Sequence, residues 1–335
     1  MRVLVQLFIL MIPLLLFTSC SQEKYPKIQE DISLAITINL KDTTLSFIDL
    51  DKKIKIADWK MNKPYTGAII LPDNDSILLF GKQVESADLY SLKMGKLINS
   101  WKTGKGIVNG KLLQSNKEIT LVDQRLNKIR FFDLNGNEKE SVQTEQNPLT
   151  IIEAKKSHKL YVLSFNKQQL IVIDLKTKDK ATGFQIHPSA AGALVNEKEK
   201  EIWIGGHGAG AEIEKNIHVY DLETGKLKYT IPAPFMPVNF LCKDGSAFVL
   251  SHGSSKLYKL DSKGNILDSV IVGSNPFEMV LTGDSLLITG YDSNDVHLLN
   301  PNNLKIIKTI PVGNGPFQIV LRGRENDEKD KHPNY

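Results

Sequence analysis

The chain has 335 residues, with 41% hydrophobic and 24% charged side chains and a formal net charge of +4. That composition supplies ample apolar material for a globular core, and the length suits either two ordinary domains or one repeat body. The basic excess is mild and no Lys/Arg run is interleaved with aromatics, so nucleic acid is not an expected partner.

Arg2 precedes an apolar stretch over residues 3–17, broken only by Gln6 and Pro13. At ~1.5 Å per residue this stretch reaches roughly 22 Å, short of the ~30 Å hydrocarbon core of a bilayer. It therefore reads as a secretory signal. It ends in Leu16-Phe17-Thr18-Ser19-Cys20, which resembles the lipobox of bacterial lipoproteins. The resemblance implies cleavage before Cys20, lipid on its sulfur and on the new amino group, and an extracytoplasmic chain held on a bacterial membrane. With Cys20 lipidated, Cys242 is left alone and no intrachain disulfide is expected. The expected divisions are a signal peptide at 1–19, a flexible polar tether at 20–32, one folded body at 33–323 and a charged tail at 324–335.

From Leu34 onward one pattern recurs. Apolar runs that each follow a tight turn start near Leu34, Ile77, Ile119, Leu160, Ile202, Ala247 and Leu286, roughly 39 to 45 residues apart, the period of a four-stranded propeller blade. Each unit opens on a corner that is usually marked by proline (Pro64, Pro148, Pro188, Pro237, Pro276, Pro316). A first strand follows, expected at 65–71, 107–113, 149–153, 190–195, 238–241, 277–281 and 317–321. After a polar hairpin comes a second strand (LAITIN, ILLFG, ITLVD, LYVLS, IWIGG, FVLSH, LLITG). The third ends in a polar turn (FIDLD, FFDLN, VIDLK, VYDLE), and a more polar fourth leads to the next corner.

The segments LYVLSFN, LIVIDLKT and IKTIPVGNGPFQIVL resemble the YVTN-repeat β-propellers, over roughly residues 34–321. The fold class expected is all-β: a seven-bladed β-propeller of four-stranded antiparallel blades. The chain enters at a second strand and leaves after a first strand, so the C-terminal strand is expected to complete the first blade and remove the free sheet edges.

Most chemistry-bearing residues have a structural role at hand. Asp49, Asp133, Asp174 and Asp221 occupy one repeat position, where an Asp can bond its own downstream backbone and hold a turn. The GGHGAG segment from Gly205 leads into a strand, not the helix a phosphate cradle needs, and reads as an enlarged loop. Hydrolase, zinc-peptidase, P-loop and paired Cys-x-x-Cys patterns are absent.

Two sets of rim residues stand out. His207 and His252 fall just past the second strand of adjacent units, with Tyr291 as the counterpart in the next, and His187 lies at the corner entering the His207 blade. Imidazoles gathered on one rim suit Zn or Cu, or an acid-base pair. Tyr65, Phe277 and Phe317 each follow a corner proline, and suit either blade packing or an aromatic pocket mouth. No residue is assigned a catalytic or metal-binding role, and no cofactor is identified.

The expected protein is a monomeric envelope lipoprotein, its propeller a binding or scaffolding module for a small ligand, a cell-wall component or a protein partner. The rival is an enzyme with its site at the channel mouth, a metal-assisted lyase or hydrolase, or a dehydrogenase-like propeller. Similar propellers include streptogramin-lyase-like proteins and the amine-dehydrogenase heavy chain.

Overall fold

In the computed structural model, which describes residues 24–323 apart from Asn166, Gly210 and Pro234, the repeating runs pair into seven four-stranded antiparallel sheets. The proposed signal peptide, Cys20 and the charged tail lie outside the described residues. The innermost strands of blades 2 to 7 are Gly67–Ile70, Ile107–Leu112, Pro148–Ala154, Ala190–Asn196, Pro237–Lys243 and Pro276–Thr282. Blade 1 takes its innermost strand, Pro316–Arg322, from the end of the fold; it pairs antiparallel with Leu34–Asn39. Each innermost strand neighbours the next, and Pro276–Thr282 neighbours Pro316–Arg322, so the ring is closed.

Burial follows position within a blade. Second strands such as Leu34–Asn39 and Glu201–Gly206 are buried at every residue, because blades pack on both of their faces. Outermost strands such as Ile306–Pro311 are exposed at all but one residue. The apolar clusters lie between successive blades. The interface of blades 7 and 1, for example, packs Leu287, Val296 and Leu298 against Ala35, Ile48 and Ile319.

The corner aspartates hold turns. The Oδ1 of Asp49 accepts the backbone N–H of Asp51 at 3.0 Å and of Lys52 at 2.9 Å, and Asp174 and Asp221 repeat the pattern in blades 4 and 5.

A polar belt joins the innermost strands around the central channel. Asn109 Nδ2 donates to Leu149 O (3.0 Å), Thr150 Oγ1 to Ala191 O (2.5 Å) and Asn239 Nδ2 to Phe277 O (3.3 Å). The Oε1 of Gln318 accepts the N–H of Ala68 at 2.7 Å. Each bond crosses from one blade to the next. At the same level of blade 5 stands Gly192, where a Cβ would come within 2.0 Å of Val238 O.

From Tyr25 the segment expected to be a free tether is docked. Tyr25 stacks on Trp59 with ring centroids 4.9 Å apart, its N–H donates to Gly95 O, and Ile28 is buried with its N–H on Leu92 O. Trp59 Nε1 donates to Pro26 O (2.9 Å), and the buried Arg322 guanidinium donates to the carbonyls of Gln29 and Ile32. Polarity suggested a solvated linker, but two side chains, Tyr25 and Ile28, supply the apolar surface that pins it.

Candidate functional site

The corners and the turns between second and third strands share one face of the ring. Backbone bonds tie them together: His207 N–H to Ser189 O, His252 N–H to Met236 O, Asp292 N–H to Ser274 O. The docked N-terminal segment lies on the opposite face, against the turn at Leu92 and Gly95.

On the corner face a continuous wall runs across blades 4, 5, 6, 7 and 1. Phe165 meets His207 at 5.7 Å between ring centroids, His207 meets His252 at 5.8 Å, and His252 meets Phe277 at 4.2 Å. Phe277 then contacts Tyr291 at 5.3 Å and Phe317 at 5.1 Å. All six are half-buried, each with one side against the protein. Phe165, His207, His252 and Tyr291 sit just past the second strands of four consecutive blades, whereas Phe277 and Phe317 are bulge residues of innermost strands. Lys41 lies 4.6 Å over the Tyr291 ring and is paired to Asp292 at 2.7 Å, which places one cation and one carboxylate at the end of the wall.

His252 Nδ1 lies 3.2 Å from Pro276 O, a bond that fixes the ring, and His207 Nδ1 is buried without a partner. Burial lowers both imidazole pKa values, and the neighbouring His252 lowers that of His207 further. Both rings are therefore neutral at pH 7. Among the described residues neither is hydrogen-bonded to a carboxylate.

Two of the sequence-selected residues lie elsewhere. Tyr65 is fully enclosed between blades 1 and 2, its hydroxyl donating to Asp88 and lying 3.3 Å from that of Tyr90. It does not join Phe277 and Phe317. Those two follow corners where the strand bulges directly after the proline, but Gly67–Ile70 pairs with Ser76–Phe80 without a register shift, which leaves Tyr65 out of phase. His187 also stands apart from the His207–His252 pair. Its ring stacks on His218 at 4.0 Å and 18° instead.

Sequence reading missed His218 and Glu214. His218 occupies the middle of the third strand Asn216–Asp221, at the repeat position held by Ser46, Asp88, Arg130, Tyr258 and His297 in other blades. A polar residue recurring inside an apolar strand was the available signal. Glu214 follows the enlarged loop. Its Oε1 accepts the N–H of Lys215 (3.0 Å) and Asn216 (2.9 Å), and its Oε2 lies 3.2 Å from His218 Nε2. His187, Glu214 and His218 line an open groove of about 580 Å³ beneath the hairpin of Gly208–Ala209 and Glu212–Ile213.

No protein-family model matches the chain, and no curated protein matches it in sequence. Solved structures are similar in fold. A functionally unknown protein from Desulfotomaculum acetoxidans superposes with a TM-score of 0.71 at 9% identity, covering 87% of this chain and 99% of that one. Hydrazine synthase from Kuenenia stuttgartiensis gives 0.68 at 14% identity, over 83% and 98%. Apo AztD from Citrobacter koseri gives 0.58 at 14%, over 88% and 98%. At these identities the likeness is one of propeller architecture.

Proposed function

We propose that this chain is an envelope lipoprotein of YVTN-like repeats whose propeller is a binding module, with the wall from Phe165 to Phe317 as its ligand-contacting surface. The observation that carries this reading is the unbroken ring-to-ring contact of His207, His252, Phe277, Tyr291 and Phe317 on half-buried positions of consecutive blades. Aromatic faces and neutral imidazoles supply flat apolar area with a few hydrogen-bonding tips, which suits a small ligand with a planar or ring-shaped apolar face. The Lys41–Asp292 pair at its edge suits a polar substituent on that ligand.

Lipid on Cys20 supports the same reading geometrically. Only four residues, 21–24, separate Cys20 from docked Tyr25, a reach of at most about 18 Å. The anchor would then hold the face that carries Tyr25 toward the bilayer and turn the wall away from it, toward arriving ligands.

The test is thermal shift and tyrosine/tryptophan fluorescence against a panel of planar heterocycles, sugars and muropeptides. A ring compound is expected to stabilise the parent and not the Phe277→Ala, His252→Ala double variant. A panel that shifts both proteins equally, or neither, would contradict the assignment.

A further inference from the structure

His187 is 91% buried by residue, with 9% of its surface exposed, and neither ring nitrogen has a hydrogen-bond partner. A buried polar group left unpaired forfeits its hydration without recompense, so its retention needs an occupant or a role. Its backbone N–H is tied to Tyr220 Oη at 2.9 Å, which fixes the residue at the groove. Beside it, Glu214 is prepared as a ligand carboxylate. Two backbone N–H groups hold one oxygen, and the other is presented to His218. Hydrogen-bonded support of this kind is what orients metal-ligating side chains.

We propose that His187, His218 and Glu214 form a binding site for one exchangeable divalent transition-metal ion of the zinc class. One donor atom from each of the three lies within 4.8 Å of the others. A four-coordinate zinc with bonds of ~2.0–2.1 Å sets its ligands roughly 3.3–3.4 Å apart. The apo arrangement therefore has to close by about an ångström. The stacked rings do not converge on a point, so closure comes from turning the His187 imidazole about χ2, a soft torsion. Two imidazoles and a carboxylate are a borderline donor set, suited to zinc and not to the oxygen-seeking calcium or magnesium. The groove leaves a fourth position open to water or to a ligand atom, as exchangeable sites require.

The surrounding charges agree. Glu212 and Lys215 also line the groove, one acid and one base, with Lys215 drawn toward the Phe235 ring at 5.7 Å. The site stands on residues separate from the aromatic wall, so either assignment can fail without the other.

The test is zinc binding by the folded chain, followed by competition with a chromophoric chelator and by the visible spectrum of the Co²⁺-loaded protein. One zinc per chain is expected, with the intense bands of four-coordinate cobalt. His218→Ala and His187→Asn should each weaken zinc binding tenfold or more and remove those bands. Glu214→Gln, which keeps an oxygen for the two backbone N–H groups, should weaken it while preserving the melting curve of the apo protein. His207→Ala with His252→Ala should bind zinc as the parent does. Absence of zinc binding by the parent, equal binding in the groove variants, or loss in the His207, His252 variant would each overturn the proposal.

Discussion

Asp88 has no exposed surface, and a carboxylate in that position is tolerable only while its partners hold it. Lys63 Nζ lies 2.6 Å away, Ser86 Oγ 2.8 Å and Ser100 Oγ 2.6 Å, with the Tyr65 hydroxyl as a fourth donor. Burial raises its pKa, but these donors outweigh that and keep it ionised. Asp88→Ala leaves the Tyr65, Ser86 and Ser100 hydroxyls without their shared acceptor while the exposed Lys63 stays solvated, and a loss of about 1–3 kcal/mol is expected by urea denaturation. Glu278 is the opposite case. It faces the channel with one hydrogen bond, from Asn239 Nδ2 at 3.1 Å, and burial lifts its carboxyl to about 7. A folded-state pKa above the unfolded value means the fold favours the protonated form. The resulting stability is complete below the unfolded pKa of about 4.5 and is lost as pH rises through 7. Glu278→Gln should flatten that decline and exceed the parent by about 1–3 kcal/mol at pH 8, as read by denaturation at a series of pH values. The residues whose rings the structure brings into contact, His207, His252, Phe277, Tyr291 and Phe317, share repeat positions whose phase the strands preserve. Tyr65 takes the blade-packing alternative and not the pocket mouth, because Gly67–Ile70 pairs without the bulge that carries Phe277 and Phe317, and strand pairing, not composition, decides a bulge. His218 and Glu214 were not selected because their convergence depends on how a loop folds back over a groove.

At the scale of elements, the closing strand carries the most consequence. Pro316–Arg322 supplies the inner edge of blade 1, packs Ile319 into the seam with blade 7, and ends in the arginine that ties down residues 29–32. Removing it exposes the edge of Leu34–Asn39 and leaves the docked segment unsupported. Deletion from Pro316 onward is expected to lower the melting temperature by well over ten degrees or abolish cooperative melting, as followed by circular dichroism. A cut in the hairpin near Asp284 should shift it by only a few degrees. This closure was legible because LAITIN and PFQIVL are recognisable as the second and first strands of one unit. The docking of Tyr25 and Ile28 was not, since a ten-residue polar segment with two apolar side chains carries no period to read. Tyr25→Ala is expected to loosen it, measurable as faster amide exchange at Ile28 with little change at Leu287.

At the scale of the molecule, the ring separates its faces by chemistry. One face carries the aromatic wall and the His187 groove, and the other carries the N-terminal segment that leads back to Cys20. If lipid attaches there, Cys20→Ser should release the mature chain from membranes into the soluble fraction, and labelled palmitate should no longer be incorporated. Sequence made the seven-fold repeat plain, but it could not show that the wall and the docked segment from Tyr25 lie on opposite faces, because that depends on which ends of the strands the segment reaches. The most direct measurement is energy transfer to an acceptor dye in the bilayer, from a donor dye on the lipidated protein reconstituted in vesicles. With Cys242→Ser as background, the donor is placed at Tyr291→Cys on the wall or at Asp73→Cys on the far face. Stronger transfer from position 73 than from position 291 is the expected result. Equal transfer, or stronger transfer from the wall, would contradict a binding face turned away from the membrane.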